Sequence, residues 1–350
     1  MAKICDKKPV YYIDDQGRFI IENYNFSKPF SSFFPGIAGK YGIPMWTFYV
    51  NRGQCISSFG VKNKDHAILE FYPANKAWQL VLSHGFRTFI KIKAPKEDIF
   101  YEPFQNGFAN IGYHIKNRML ISPSGLSIEE DNLSLKIKTS VTYFNIPNAP
   151  LAGLSRILTV KNLSGQKRDL KVLDGIAQII PYGTNNFFLK EMSRTIEAWM
   201  SVENLERKIP YFKLSTDPAD RPEVVHIKEG NFYAGFTREE KEVKIIKPII
   251  DPAHIFGTAT DFSCPRLFLN AKFSPPKQEE PQSKTPCAFL YESFTLKEEE
   301  KKDICSVSGY MRGLKELNSS LKAILSPGYL EKKEKENEEI INDLTNEAYT

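Results

Sequence analysis

Short runs of apolar residues, separated by clusters of turn-forming residues, dominate the first two hundred positions of the chain. Their length of four to twelve residues and their regular spacing are typical of β-strands in a sandwich or barrel. The predicted strands are Val10–Ile13, Arg18–Glu22, Met45–Val50, Cys55–Val61, Leu69–Tyr72, Gln79–Leu82, Arg87–Ile92, Leu133–Phe144, Leu154–Val160, Leu170–Ile180 and Ile196–Val202.

The pattern also predicts how some of these strands pair. Asp14-Asp15-Gln16-Gly17 separates the first two strands, so we expect a hairpin there. A second hairpin is predicted from Arg156–Val160 through the turn at 162–165 to Asp169–Ile180. Because we find no amphipathic helix of ten or more residues between the strands, parallel crossover architecture is disfavoured and antiparallel pairing is expected.

The character of the sequence changes towards the C-terminus. Ser274–Pro286 is rich in proline and almost free of apolar residues, which predicts an exposed loop, and Cys287–Leu296 resumes a strand pattern. Leu314, Leu317, Leu321, Ile324 and Leu325 follow helical spacing, Ser326-Pro327-Gly328 ends that helix, and Tyr329–Tyr349 predicts a second, highly charged one.

Composition narrows the class of protein. The 350 residues are 41% hydrophobic and 25% charged, with abundant Phe and Tyr, so a β-rich globular core is expected. The net charge of +5 comes from scattered residues, which argues against nucleic acid as a partner.

The N-terminus has no signal-peptide pattern and no stretch is long enough for a membrane span, so we expect a cytoplasmic protein without membrane contact. The five cysteines are expected to be reduced, at positions Cys5, Cys55, Cys264, Cys287 and Cys305.

Local motifs for catalysis are missing from the sequence. There is no phosphate-binding glycine loop, metalloprotease motif or nucleophile elbow, and the five histidines have no metal-ligand spacing, so we expect no metal, no cofactor and structural roles for the histidines. Two segments stand out as sugar-binding candidates, each with an ordinary turn as the alternative reading. Tyr182, Asn185 and Asn186 follow a long strand and offer a phenol and amides, while Asp251 and His254 offer a carboxylate beside an imidazole.

Several strings of residues resemble the N-terminal region of cellobiose-phosphorylase-like proteins, glycoside hydrolase family 94, in particular the branch with 1,2-β-oligoglucan phosphorylases. The resemblance covers nearly all of residues 10–310. The strings are Pro29–Gly39, Gly42–Trp46, Tyr49–Gln54, Ser58–Gly60, Glu70–Ala77, Gly85–Phe89, Asp174–Gly175 and Pro181–Gly183.

The resemblance implies a fold and a function. It implies a mainly β protein, with a large antiparallel β-supersandwich of the galactose mutarotase-like type over residues 1–310 and a helical linker over 311–350. The chain is then expected to end before the (α/α)6 barrel that contains the family's catalytic acid and phosphate site, so that it holds no catalytic residue and its last helices fray. The complete enzyme would be an inverting phosphorylase that uses inorganic phosphate to cleave β-linked gluco-oligosaccharides.

Partners and alternative functions follow from the same resemblance. We expect the β domain to pack on the helical barrel, to contribute sugar-binding or scaffold surfaces, and to be inactive alone; a homodimer is one further arrangement. The alternatives are a stand-alone carbohydrate-binding or mutarotase-like protein, which needs a histidine and a carboxylate in one cleft, and a purely structural assembly module.

Overall fold

The computed structural model describes residues 8–105, 110–219, 222–239 and 242–348. Cys5 and Tyr349 therefore lie outside the described residues. The strands, in chain order, are β1 (Val10–Ile13), β2 (Phe19–Glu22), β3 (Ser31–Phe33), β4 (Met45–Val50), β5 (Ile56–Val61), β6 (Ala67–Leu69), β7 (Phe86–Ile92), β8 (Ile99–Tyr101), β9 (Ile115–Ile121), β10 (Gly125–Asn132), β11 (Ile137–Asn145), β12 (Ala152–Asn162), β13 (Arg168–Ile176), β14 (Met200–Glu203), β15 (Tyr211–Leu214), β16 (Gly230–Glu239), β17 (Glu242–Ile246), β18 (Ala288–Leu296) and β19 (Lys301–Met311).

Helices are fewer than strands over the same residues. The α-helices are α1 (Ala74–His84), α2 (Asn186–Glu191), α3 (Ala253–Phe256), α4 (Arg266–Leu269), α5 (Leu314–Ile324) and α6 (Tyr329–Glu347). Short 3-10 turns cover Tyr24–Phe26, Lys64–His66, Ser193–Trp199 and Leu205–Arg207. None of the helices in the described ranges is both long and apolar enough to cross a membrane.

Three antiparallel sheets make up the β part of the described chain. The large sheet has the order β1-β2-β9-β10-β11-β12-β19-β16-β15-β14, with β17 beside the second half of β16. Two four-stranded sheets have the orders β18-β13-β7-β8 and β3-β4-β5-β6. The predicted mainly β fold with a large antiparallel sandwich is confirmed.

One hydrophobic core joins the three sheets. In the large sheet, Met119, Ile128, Val141, Leu158 and Ile304 lie directly opposite one another across five strands, and all are buried. Their core also contains buried side chains of both small sheets. Because successive residues of a strand point to opposite faces, the apolar alternation places this row on the inner face, and the two small sheets form the second layer.

The C-terminal helices pack on the other face of the large sheet. Leu317, Leu321 and Ile324 of α5 and Leu330 of α6 are buried in a second core with side chains of β11, β16 and β19. Ile341, further along α6, is buried as well. The predicted fraying of these helices rests on the absence of a packing partner within the chain, and that premise is wrong. Their amphipathic pattern matches the apolar outer face of the large sheet.

Polar contacts attach α6 to the same face. Asn337, 3% exposed, donates its side-chain amide to the carbonyl oxygen of Ser124 at 2.7 Å. The Lys333 ammonium donates to the carbonyl oxygen of Asn148 at 3.0 Å. The division of the chain after residue 310 stays a prediction.

We expect the backbone amides of α5 to exchange hydrogen much more slowly than those of an unstructured peptide, because the helix is held by burial of Leu317 and Leu321. Mass spectrometry of deuterium uptake measures this directly. A Leu317→Asp variant should lose the protection, since it places a charge in the second core. Lys315→Asp, which introduces the same residue at an exposed position of the helix, is the control and should keep it. Exchange at the unstructured rate in the unmodified chain would contradict the packing.

Several local predictions are wrong for identifiable reasons. Gln79–Leu82 lies within α1, where Ala77 and Val81 form the buried side four residues apart, so an apolar run that resembled a strand is one face of a helix. This helix has eleven residues, so the premise that no such helix separates the strands is wrong as well, although the antiparallel pairing is confirmed.

The predicted hairpin between Arg156–Val160 and Asp169–Ile180 is also wrong. In the structure β12 pairs with β11 and β19, while β13 pairs with β7 and β18 in the opposite layer. Both edges of β12 are occupied, so the chain crosses between layers at the predicted turn. Asn162 fixes that crossing, since its amide nitrogen donates to the carbonyl oxygens of Leu296 and Lys297 and its oxygen accepts from the backbone nitrogen of Ser164.

Candidate functional site

Four segments that are distant in sequence meet around one carboxylate, Glu229. Lys62 directly follows β5, Tyr182 follows β13, Glu229 directly precedes β16, and Tyr310 lies near the end of β19. We call Lys62, Tyr182, Glu229, Tyr310 and the neighbouring His66 the Glu229 cluster. It lies where one small sheet meets the large sheet.

Both oxygens of the Glu229 carboxylate accept hydrogen bonds from phenols. The Tyr182 hydroxyl donates to Oε2 at 2.9 Å, and the Tyr310 hydroxyl donates to Oε1. The Lys62 ammonium lies 3.5 Å from Oε1 and donates to the Tyr182 hydroxyl at 3.1 Å. The two tyrosine rings contact each other with centroids 5.2 Å apart. The carboxylate is therefore held in one position by three donors on three different segments.

The side chains of the Glu229 cluster differ in their exposure to solvent. Tyr182 and Tyr310 are buried, at 7% and 3% exposure, while the side chains of Lys62 and Glu229 are 52% and 38% exposed. The phenols therefore form a floor from which a carboxylate and an ammonium face the solvent. Such a surface can exchange hydrogen bonds with the hydroxyls of a polar ligand.

Electrostatics keep Glu229 ionised. Burial raises the pKa of the Glu229 carboxyl, but hydrogen bonds from Tyr310 and Tyr182 and the charge of Lys62 outweigh it and hold the pKa below its ordinary value. Burial and the hydrogen bond to Glu229 raise the pKa of both phenols, so these stay protonated. At neutral pH the carboxylate is consequently an acceptor and each phenol a donor.

His66 adds an imidazole to the same surface. Its ring lies 5.7 Å from the ring of Tyr182, and its Nδ1 lies 2.9 Å from the side-chain oxygen of Asn63. That oxygen also accepts from the backbone nitrogen of Asp65, so we assign the proton of the neutral ring to Nδ1, which leaves Nε2 as an acceptor. Burial and the charge of Lys62 lower the pKa of His66, which favours the neutral ring at pH 7.

The two predicted asparagines lie beside this cluster. Asn185 caps α2, accepting the backbone N–H of Phe188 at 2.8 Å, which accounts for its residue type without a ligand. The backbone nitrogen of Asn186 donates to the carboxylate of Asp65 at 3.0 Å. The start of α2 is thus tied to the turn that holds His66, and the side chain of Asn186 is half-buried there.

Asp251 and His254 belong to a separate network. Asp251, 5% exposed, accepts the backbone N–H of Ala253 at 2.9 Å and forms an ion pair with Lys284. Glu279 accepts the backbone N–H groups of Ile250 and Asp251. These contacts fix the turn into α3, on which the half-buried His254 lies, so a structural role accounts for Asp251.

Sequence reasoning found Tyr182 but not its partners. Lys62, His66, Glu229 and Tyr310 come from segments with no common motif, and only the antiparallel layering brings them together. A metal site is not part of this arrangement, because the described residues contain no group of three or more His, Cys, Asp or Glu placed to hold an ion.

Comparison with known proteins gives similarity of structure only. No protein-family model matches the chain, and no curated protein is significantly similar in sequence. Among solved structures, a galactose mutarotase-like protein from Clostridium acetobutylicum is 11% identical, with a TM-score of 0.36 over 86% of this chain and 97% of that chain. A protein assigned as a kojibiose phosphorylase, from the human microbiome, is 10% identical, with a TM-score of 0.36 over 90% of this chain and 31% of that chain. At this level the similarities support no argument about function.

Proposed function

We propose that this chain is the sugar-binding, non-catalytic β domain of a cytoplasmic inverting glycoside phosphorylase that acts on β-linked gluco-oligosaccharides. The observation that supports it is the Glu229 cluster, in which a fixed carboxylate, an ammonium and an imidazole acceptor share one partly exposed surface. Adjacent sugar hydroxyls each donate and accept, and this combination of groups matches that requirement. The strings that resemble family 94 supply the substrate class.

The protonation states of the cluster support a binding role over a catalytic one. Phosphorolysis needs a proton donor for the leaving oxygen and a cationic pocket for phosphate, both on one frame. The pKa values of Glu229 and His66 are both lowered, so at pH 7 both are proton acceptors. In this proposal the catalytic acid and the site of the reacting phosphate belong to a helical barrel on which this domain packs, and a homodimer is a compatible assembly.

A mutarotase-like activity is the second candidate, because the Glu229 cluster does place a carboxylate and a histidine together. Ring opening of a sugar needs a base at the anomeric hydroxyl and an acid at the ring oxygen. Glu229 can act as the base, whereas His66 would have to gain a proton against the burial and the Lys62 charge that lower its pKa. This candidate predicts that the chain speeds the interconversion of glucose anomers and that His66→Gln abolishes the effect, as followed by NMR.

Calorimetric titration with β-linked glucose disaccharides tests the binding proposal. We expect binding by the chain alone, weakened on the order of tenfold in Glu229→Gln because a charged acceptor is lost. Glu22→Gln is the matched control, since Glu22 also accepts a tyrosine hydroxyl, that of Tyr12 at 3.0 Å, but on the edge of the large sheet. Equal affinities of the three proteins, or no binding by any of them, would contradict the role of the cluster.

An assay of phosphorylase activity tests whether the chain is non-catalytic by itself. Phosphate release from glucose 1-phosphate with a β-linked acceptor should be absent with this chain alone and should appear when a family barrel is added in trans. Release by the chain alone would overturn the non-catalytic assignment.

A further inference from the structure

The outer face of the sheet β18-β13-β7-β8 contains two lysines directly opposite each other. Lys91 of β7 and Lys171 of β13 are register partners, and Ser293 of β18 is the partner of Lys171 on its other side. All three line an open cavity of about 530 Å³, which we call the lysine cavity. Like charges directly opposite each other destabilise a sheet. An anion bound between Lys91 and Lys171 would offset the repulsion that this strand pairing creates.

Both ammonium groups donate to backbone carbonyl oxygens of the segment that follows α4. Lys91 is 2% exposed and donates to the carbonyl oxygen of Asn270 at 2.8 Å, and Lys171 donates to the carbonyl oxygen of Ala271 at 3.2 Å. The Lys91 ammonium also lies 4.9 Å from the centroid of the Phe268 ring. An ammonium has three N–H donors, and the two carbonyl contacts use one donor of each lysine. Burial and the charge of Lys171 lower the pKa of Lys91, and the charge of Asp98 offsets part of this lowering. The two ammonium groups are therefore held close together, and their mutual repulsion is only partly offset.

In the neighbouring row of the same face, the positive charge is already neutralised by an ion pair. Lys93 lies 3.7 Å from the carboxylate of Asp169, which also accepts the Thr295 hydroxyl at 2.6 Å. Asp98 completes the charged lining, so three lysines and two aspartates leave one net positive charge. None of the ion pairs among the described residues joins Asp98 to Lys91 or Lys171, and the charge of Asp98 acts on Lys91 only from beyond ion-pair distance. The lining of the cavity as a whole therefore keeps one excess positive charge.

We propose that the lysine cavity binds a phosphate group, either as inorganic phosphate or as the monoester of a sugar. A phosphate dianion has enough oxygens to accept from both ammonium groups and from the Ser293 hydroxyl at once, and charge-assisted bonds of this kind are the strong ones. A carboxylate, with one charge and two oxygens, satisfies fewer of these donors. The cavity volume is in the range of small-molecule sites, which leaves room for an organic remainder beside the phosphate.

Calorimetry on the full chain at low salt, with inorganic phosphate and separately with glucose 1-phosphate, tests this site. Lys171→Gln should weaken binding on the order of tenfold, because it removes one charged donor. Lys116→Gln is the control, since Lys116 is an exposed lysine on a strand of the large sheet and the charge change is identical. Ser293→Ala, which leaves both charges in place, should weaken binding by a smaller factor.

The two ligands distinguish the source of the phosphate. Tighter binding of glucose 1-phosphate assigns the site to a sugar monoester, and binding of inorganic phosphate alone assigns it to the free anion; both outcomes support the proposal. Absence of binding with either ligand, or equal affinity in Lys171→Gln and Lys116→Gln, would overturn it. The result is independent of the Glu229 cluster, which is tested with neutral sugars.

Discussion

An Asp174→Ala variant is expected to lose about 3–5 kcal/mol of unfolding free energy, the range found when one partner of a buried ion pair is removed. Asp174 on β13 and Arg156 on β12 form an ion pair between the two layers, and both are fully buried. Without the carboxylate, the Arg156 guanidinium would remain buried and uncompensated. The loss should therefore exceed that of an ordinary substitution several-fold.

The pair is the centre of a network that joins the layers. Thr88 donates its hydroxyl to Asp174 at 2.6 Å, and Arg156 donates to the side-chain oxygen of Gln54 at 2.6 Å. Gln54 in turn donates to the Thr88 hydroxyl at 2.8 Å, which closes a ring of contacts. Because the partners lie on both layers, the network specifies how the small sheets sit on the large one, as well as contributing to stability.

Urea unfolding followed by fluorescence measures this loss. Glu299→Gln is the control, because it removes a carboxylate from the exposed ion pair with Lys161 and should change stability little. Combining Asp174→Leu with Arg156→Met should recover much of the lost stability, since an apolar pair leaves no charge buried. A loss of less than about 1 kcal/mol in Asp174→Ala would contradict the role of the pair.

The strands that the sequence predicted well are those whose pattern depends only on neighbouring residues. Met45–Val50 coincides with β4, and the predicted helix from Leu314 coincides with α5, since alternating or helical burial is a local property. The inner row around Val141 also follows from alternation. Which strand lies beside which depends on long-range pairing, and for that reason the hairpin predicted across Asn162 was wrong.

The candidate site shows the same limit. Tyr182 was found because an aromatic and amides follow a strand, and the structure then explains Asn185 as a helix cap. Glu229 and Lys62 carry no local signal, because an isolated acid or lysine beside a strand is common on any β protein. Their significance arises only where two sheets converge, and no single segment encodes that convergence.

Glu130 is expected to make the stability of the fold fall as pH rises from 4.5 to 7. The carboxyl group, 1% exposed on β10, accepts the Tyr101 hydroxyl and the backbone N–H of Phe104. Burial raises its pKa from 4.5 to about 7. The folded state thus holds a proton that the unfolded state has released in this window, so unfolding becomes easier by about 1.4 kcal/mol per pH unit, roughly 3 kcal/mol in all, and levels off above pH 7.

Comparison of the chain with Glu130→Gln from pH 5 to 8 isolates this contribution, because the amide keeps an acceptor for Tyr101 but does not titrate. The variant should gain stability relative to the unmodified chain as pH rises to 7, with no further change above it. Glu129→Gln is the control on the adjacent residue: although burial raises the pKa of Glu129, hydrogen bonds and charges from Lys138 and Arg118 lower it overall, so its contribution is lost only at pH values below this range. A difference between Glu130→Gln and the unmodified chain that stays constant across the range would contradict a buried, titrating Glu130.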